Sequence, residues 1–228
     1  MKYAFPIREN PNLKVFGTEY FFPVHRIYCV GRNYADHAKE MGSNPEREPP
    51  FFFSKPADSV SPNGSQIPYP LATKNLHHEI ELVVAIGKNG TRISKLDALN
   101  YVFGYGVGLD LTRRDLQGEA KKKGRPWSTA KGFDNSAPCS ALHKVEDVGH
   151  INQGTISLHV NGDIRQKGDI SDMIWSVPEV ISSLSSFFEL CPGDLIFTGT
   201  PSGVGSLNRG DYIEGEIKNL DKLIISIV

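Results

Sequence analysis

Glu79 and Glu81 stand two apart in the stretch His77-His78-Glu79-Ile80-Glu81-Leu82-Val83-Val84-Ala85-Ile86. Residues two apart on a strand share a face, so both carboxylates point the same way, next to Val83 and Ala85. Neighbouring carboxylates in an apolar sheet repel each other and lose hydration. A divalent cation removes both penalties. A third carboxylate, Asp110, ends Phe103-Gly104-Tyr105-Gly106-Val107-Gly108-Leu109-Asp110. Gly106 and Gly108 share its face and are expected to leave room beside it. Three carboxylates around one space make an oxygen-rich site for Mg²⁺ or Mn²⁺. His77 falls on the Glu79 face, which brings zinc into consideration, but the chain has no His-Glu-x-x-His and no Cys-x-x-Cys. The competing reading is a solvated acidic face or a structural ion-pair network.

Other residues have spacings that could do chemistry. His37 and Glu40 lie three apart on a short helical segment, where a carboxylate could orient an imidazole as a general base or form an ordinary surface pair. Arg114 and Gln117 have the same spacing on the helix after Asp110, on a face that could turn back toward the acids. Lys131, in Trp127-Ser128-Thr129-Ala130-Lys131-Gly132-Phe133, could bind an anion or stabilise an oxyanion, or could snorkel at the surface. The loop from Thr198 to Gly205 could offer N–H groups to an anion, but it lacks a P-loop ending and also reads as a Gly/Pro turn.

The elements that must position these residues are short. Ile27 to Val30 reads as a strand ending at Gly31, and Asn33 to Met41 as a helix capped by Asn33. Residues 42–50 read as an exposed loop, Phe51 to Phe53 as a buried strand, and Ser61 to Gly64 as a turn. Thr112 is expected to cap the helix that carries Asp115 in its first turn and Lys121, Lys122 and Lys123 at its end, before Gly124. Asn161-Gly162 predicts a hairpin between Thr155–Val160 and Asp163–Gln166. Ser176-Val177-Pro178-Glu179 predicts a capping box, opening a helix with an apolar stripe of Val180, Ile181, Leu184, Phe187 and Phe188. Leu195 to Phe197 reads as a strand.

The 228 residues fit one domain, or one domain plus a small subdomain, with an N-terminal strand or arm region over 1–25 and the main domain over 26–228. A formal net charge of -1 favours neither nucleic acid nor an anionic membrane. Three scattered cysteines, Cys29, Cys139 and Cys191, point to reduced thiols and a cytoplasmic location. No apolar run is long enough to span a bilayer.

Taken in order, the segments Val30-Gly31-Arg32-Asn33-Tyr34-Ala35-Asp36-His37, Phe53-Ser54-Lys55-Pro56, His77 to Leu82, Gly108 to Thr112, Lys122 to Trp127, Val160-Asn161-Gly162 and Phe197 to Gly205 resemble the fumarylacetoacetate hydrolase superfamily. The resemblance is closest to its small single-domain branch of acylpyruvases and oxaloacetate decarboxylases. It implies a β-rich α+β fold, a mixed β-sandwich roll with short flanking helices, assembled as a homodimer. It implies Mg²⁺ or Mn²⁺ on Glu79, Glu81 and Asp110, and a water-activating dyad of His37 and Glu40 on a segment that orders over the substrate. Lys131 matches the family's active-site lysine, and Arg114, Gln117 and Thr200 match substrate-contact positions. The implied activity is hydrolysis of a C–C bond in short 2,4-diketo acids such as acetylpyruvate or fumarylpyruvate, releasing pyruvate. Oxaloacetate decarboxylation and keto-enol tautomerisation would use the same site. A metal-stabilised binding protein is the non-enzyme alternative.

Overall fold

The computed structural model describes residues 2–6, 10–40 and 48–228; the side chains of 38–40 lie outside the described part, as does most of the expected 42–50 loop. The chain opens with a hairpin, β1 (Asn12–Lys14) and β2 (Phe21–Pro23), turning near Gly17. Then come β3 (Arg26–Gly31), α1 (Ala35–Glu40), β4 (Phe51–Lys55), β5 (Val60–Pro62) and β6 (Gln66–Ile67). The acidic segment forms β7 (Leu76–His78) and β8 (Ile80–Ile86), broken at Glu79, and is followed by β9 (Val102–Leu109) and β10 (Thr112–Arg113). Two short helices, α2 (Arg114–Lys122) and α3 (Ser128–Lys131), precede β11 (Ala137–Cys139), β12 (His143–Lys144) and α4 (Val145–Val148). The C-terminal part carries β13 (Thr155–Val160), β14 (Asp163–Asp169), α5 (Val177–Leu184), β15 (Asp194–Phe197), β16 (Gly205–Leu207), β17 (Tyr212–Ile217) and β18 (Leu223–Ile227).

An eight-stranded mixed sheet runs β4-β3-β15-β8-β9-β11-β5, with β12 paired to β9. A five-stranded sheet, β14-β13-β17-β18-β6, packs on it, and β10-β7-β16 forms a third small sheet. This is the β-rich α+β architecture expected of the resemblance. β8 explains the layering by its period of two. Ile80, Leu82, Val84 and Ile86 enter the core between the two large sheets, while Val83 and Ala85 join a second core with Leu13, Phe22, Leu195 and Phe197. Glu79 and Glu81 continue the second face. Gly215 lets the sheets approach, because a Cβ there would lie 3.0 Å from Ile80 Cδ1.

Local signals with local partners are realised. The hairpin turns at Asn161 and Gly162 with φ of 53° and 88°, the left-handed pair that a two-residue turn requires. The Ser176–Glu179 capping box opens α5.

Other expectations are corrected. Asn33 does not cap α1; its buried amide donates to the Trp175 and Thr198 carbonyls and accepts from Trp175 N–H, tying β3 to the loop after β15. Thr112 does not cap α2, because its backbone pairs with His77 and its hydroxyl donates to the Asp110 carbonyl. Phe187 and Phe188 lie beyond the end of α5 and are exposed. Phe51 to Phe53 form a strand whose rings are only partly covered. The turn expected over Ser61–Gly64 is confined to Asn63 and Gly64, since β5 pairs with β11 as far as Pro62.

Candidate metal centre and active site

Antiparallel pairing of β8 with β9 sets Ile80 against Leu109 and Glu81 against Gly108. The next step in that register brings Glu79 to Asp110, and Asp110 N–H donates to the Glu79 carbonyl at 2.9 Å. Strand register therefore gathers all three acids on one face. Their ligating oxygens lie within 4.8 Å of one another, and all three side chains are buried. The glycines do not clear space for an ion as expected. A Cβ on Gly108 would lie 2.5 Å from Val83 Cγ2 and 2.6 Å from Phe197 Cε1, and one on Gly106 would lie 3.0 Å from Leu142 Cδ2. Core side chains use that room.

Cations surround the acids unevenly. Lys131 Nζ donates to Glu79 Oε2 at 2.7 Å and to Asp110 Oδ2 at 2.6 Å. Lys55 Nζ lies 2.7 Å from Asp110 Oδ1 and donates to the carbonyls of Leu111 and Lys131. Arg114 reaches Glu79 Oε1 through Nη2, Gln117 Oε1 through Nη1 and His77 Nδ1 through Nε. Burial pushes Glu79 up, but the charges of Lys131 and Arg114 outweigh it and hold the carboxyl far below its ordinary range. Burial pushes the Lys131 pKa down, but the charges of Asp110 and Glu79 outweigh it and raise the pKa.

Glu81 is different. Its one hydrogen-bond donor among the described residues is Gly199 N–H, at 2.7 Å. Burial first, then Asp110 and Glu79, push its carboxyl well above the usual range. A buried carboxylate beside two others, with no cation of its own, is the arrangement that a divalent ion completes. All three donors are hard oxygens, which suits Mg²⁺ or Mn²⁺. The donor set therefore fits such an ion. Binding would displace the proton from Glu81, so affinity should rise with pH. Calorimetric titration with Mn²⁺ in two buffers of different ionisation enthalpy should show release of up to about one proton per ion. Buffer-independent heats would contradict this.

The three acids line a narrow cleft that encloses about 30 Å³ of free space and opens to solvent. His37, Arg114, Gln117, Lys131 and Thr200 all line it. His37 is buried and near enough to Glu79 to lower its pKa. Glu40 ends the same helix, but its side chain lies outside the described residues. Gln117 accepts from Arg114, which leaves its amide N–H groups for the cleft. Thr200 Oγ1 accepts from Gln166 Nε2 at 2.8 Å, which leaves the threonine hydroxyl hydrogen as a donor. Gln166 Oε1 in turn is bonded to His78 Nδ1 at 2.8 Å and accepts from Ile80 N–H.

Sequence reasoning did not single out Lys55, Gln166, Arg32 or Lys121 as site residues. Lys55 carried a signal: a lysine closing an aromatic strand pattern with a proline behind it. Gln166 carried none, since it reads as one polar residue of a hairpin.

The family model of the fumarylacetoacetate (FAA) hydrolase C-terminal region matches residues 26–228. A mouse mitochondrial oxaloacetate tautomerase, FAHD1, is 48% identical over 191 residues, covering 84% of this chain and 86% of that protein. A fumarylpyruvate hydrolase from Ralstonia is 42% identical over 180 residues, covering 79% of this chain and 93% of the relative. Among solved structures, a fumarylpyruvate hydrolase from Pseudomonas aeruginosa in complex with Mn²⁺ and pyruvate superimposes with a TM-score of 0.98 at 52% identity, covering 100% of this chain and 99% of that one. With the acidic cluster, the ordered motifs and these matches in agreement, the chain belongs to the fumarylacetoacetate hydrolase family.

Proposed function

We propose that the protein is a divalent-cation-dependent hydrolase of short 2,4-diketo acids, splitting acylpyruvates into pyruvate and a carboxylic acid. The observation that carries this reading is the buried Glu79–Glu81–Asp110 cluster sharing with His37 a cleft lined with hydrogen-bond donors. The likeness to fumarylpyruvate hydrolases supports it.

Glu79, Glu81 and Asp110 would hold Mg²⁺ or Mn²⁺, which supplies Lewis-acid charge for the keto acid's oxygens and for the enolate that departs. The protein's own groups do the rest. His37 takes a proton from water at an imidazole nitrogen, with Glu40 on the same helix to orient the ring. The hydroxide adds to C4 of the diketo acid. The C3–C4 bond then breaks, its electron pair passes to the pyruvate fragment, and a proton at C3 completes pyruvate. Lys131 uses two N–H groups on Glu79 and Asp110 and keeps a third to meet the oxyanion at C4. The Gln117 amide and the Thr200 hydroxyl are donors for the substrate's oxygens. Arg114 acts mainly by holding Glu79 and Gln117 in place.

A second reading is favoured by the mouse relative, an oxaloacetate tautomerase. Loss of CO₂ from oxaloacetate, or its tautomerisation, also develops an enolate and would use the same acids. One panel tests both. Fumarylpyruvate, acetylpyruvate and oxaloacetate are assayed after EDTA treatment and again with Mn²⁺ or Mg²⁺. Cation-dependent release of pyruvate from the diketo acids supports the hydrolase. Turnover of oxaloacetate alone favours the second reading, and binding without turnover sinks both.

A further inference from the structure

At the solvent end of the cleft two cations have no anion among the described residues. Arg32 and Lys121 both line it, and neither has a carboxylate within ion-pair distance among the described residues. The deeper cations are already committed, Lys131 and Arg114 to Glu79.

Arg32 is held in an unusual backbone conformation, with φ of 60°. A non-glycine residue keeps such a conformation only where its surroundings impose it. Its guanidinium carbon stands 5.5 Å from the centroid of Phe51. Gly31 makes that contact possible, because a Cβ there would fall 2.0 Å from Phe51 Cζ. Phe51 meets Trp127 edge-on at 5.5 Å, and Lys121 Nζ stands 5.3 Å from the Trp127 centroid. The result is a continuous rim of cation, ring, ring and cation. Burial, reinforced by Arg114 and Arg32, depresses the Lys121 pKa, as expected of an ammonium among like charges.

We propose that Arg32 and Lys121 form a second anion subsite, which takes a carboxylate at the far end of the acyl group. The chain then selects acylpyruvates whose acyl arm is flat and ends in its own carboxylate. The first carboxylate and the keto groups lie over the acids, the arm runs along Phe51 and Trp127, and the terminal carboxylate meets the two cations. An aromatic wall of this kind suits a flat, unsaturated arm. This inference rests on the acylpyruvate reading of the same site.

The test is the ratio of kcat/KM for fumarylpyruvate to that for its distal monomethyl ester, which has nearly the same shape and lacks the terminal charge. Because the ratio is internal to each preparation, partial misfolding cancels. The wild-type ratio should be about tenfold or more, the size of one charge-assisted hydrogen bond. Lys121→Met and Arg32→Gln should each reduce it severalfold, and Lys121→Arg should keep it. A wild-type ratio near one, or a ratio unmoved in both variants, overturns the subsite while leaving the hydrolase reading intact. If neither compound is split in the presence of Mn²⁺, the hydrolase reading falls and the subsite with it.

Discussion

Glu81→Gln should abolish turnover yet leave the metal-free protein at least as stable as the wild type, whereas Asp110→Asn should abolish turnover and destabilise it. The two acids differ in their neighbours. Among the described residues Glu81 has no cation beside it and one backbone donor, so the fold disfavours its charged form and a neutral isostere removes that penalty. Asp110 lies between the ammonium groups of Lys55 and Lys131. Its neutralisation leaves two buried lysines short of an anion, a loss of about 3 kcal/mol or more. Urea unfolding in EDTA measures the stabilities, and Mn²⁺ titration measures the metal site. The pH dependence sharpens the contrast. Glu81 has a folded-state pKa above its ordinary 4.5, so between the two values the folded protein binds more protons than the unfolded chain. Stability from this group therefore falls as pH rises through that window, and Glu81→Gln should remove that part of the slope. If Glu81→Gln were the more destabilising of the two, the assignment of charges in the cluster would be wrong.

His37→Ala should lower acylpyruvate hydrolysis by about 10²- to 10⁴-fold, the usual contribution of a general base, and leave Mn²⁺ affinity nearly unchanged. His37 lines the same cleft as the acids and is not one of the clustered oxygen donors. Oxaloacetate decarboxylation, where the wild type shows it, needs an electron sink rather than an activated water. That activity should depend on Glu79, Glu81 and Asp110 and lose less from His37→Ala. The hydrolytic pH–rate profile should rise as the imidazole loses its proton, and this limb should vanish in the variant. Wild-type hydrolysis by His37→Ala with the ion bound would move water activation elsewhere.

The acidic cluster was legible because it depends on short-range facts. Alternation along a strand puts Glu79 and Glu81 on one face, and the apolar residues after them mark that face as buried. The Asn161-Gly162 turn and the Ser176–Glu179 box were legible for the same reason: each partner is a few residues away. Asp110 stood out as a third carboxylate beside glycines, and His37 and Glu40 as a pair three apart, but only the motif resemblance tied them to one site, because it carries long-range information that spacing does not.

What the sequence could not show was decided by contacts across the fold. Asn33 has the composition of a cap, but partners more than 140 residues away outbid the local role. Thr112 looked like a cap until β7 claimed its backbone. Gly108 serves Phe197, which arrives from a strand near the end of the chain. Lys55 meets Asp110, Gln166 meets Thr200, and Arg32 and Lys121 come to line the cleft only when β4, β14, the turn after β3 and α2 converge. Local sequence determines which groups a short segment can present and on which face. Which charges meet, and which of them remain uncompensated, is set by sheet register and packing between distant segments, because electrostatic and hydrogen-bond energies depend on distance in space rather than along the chain.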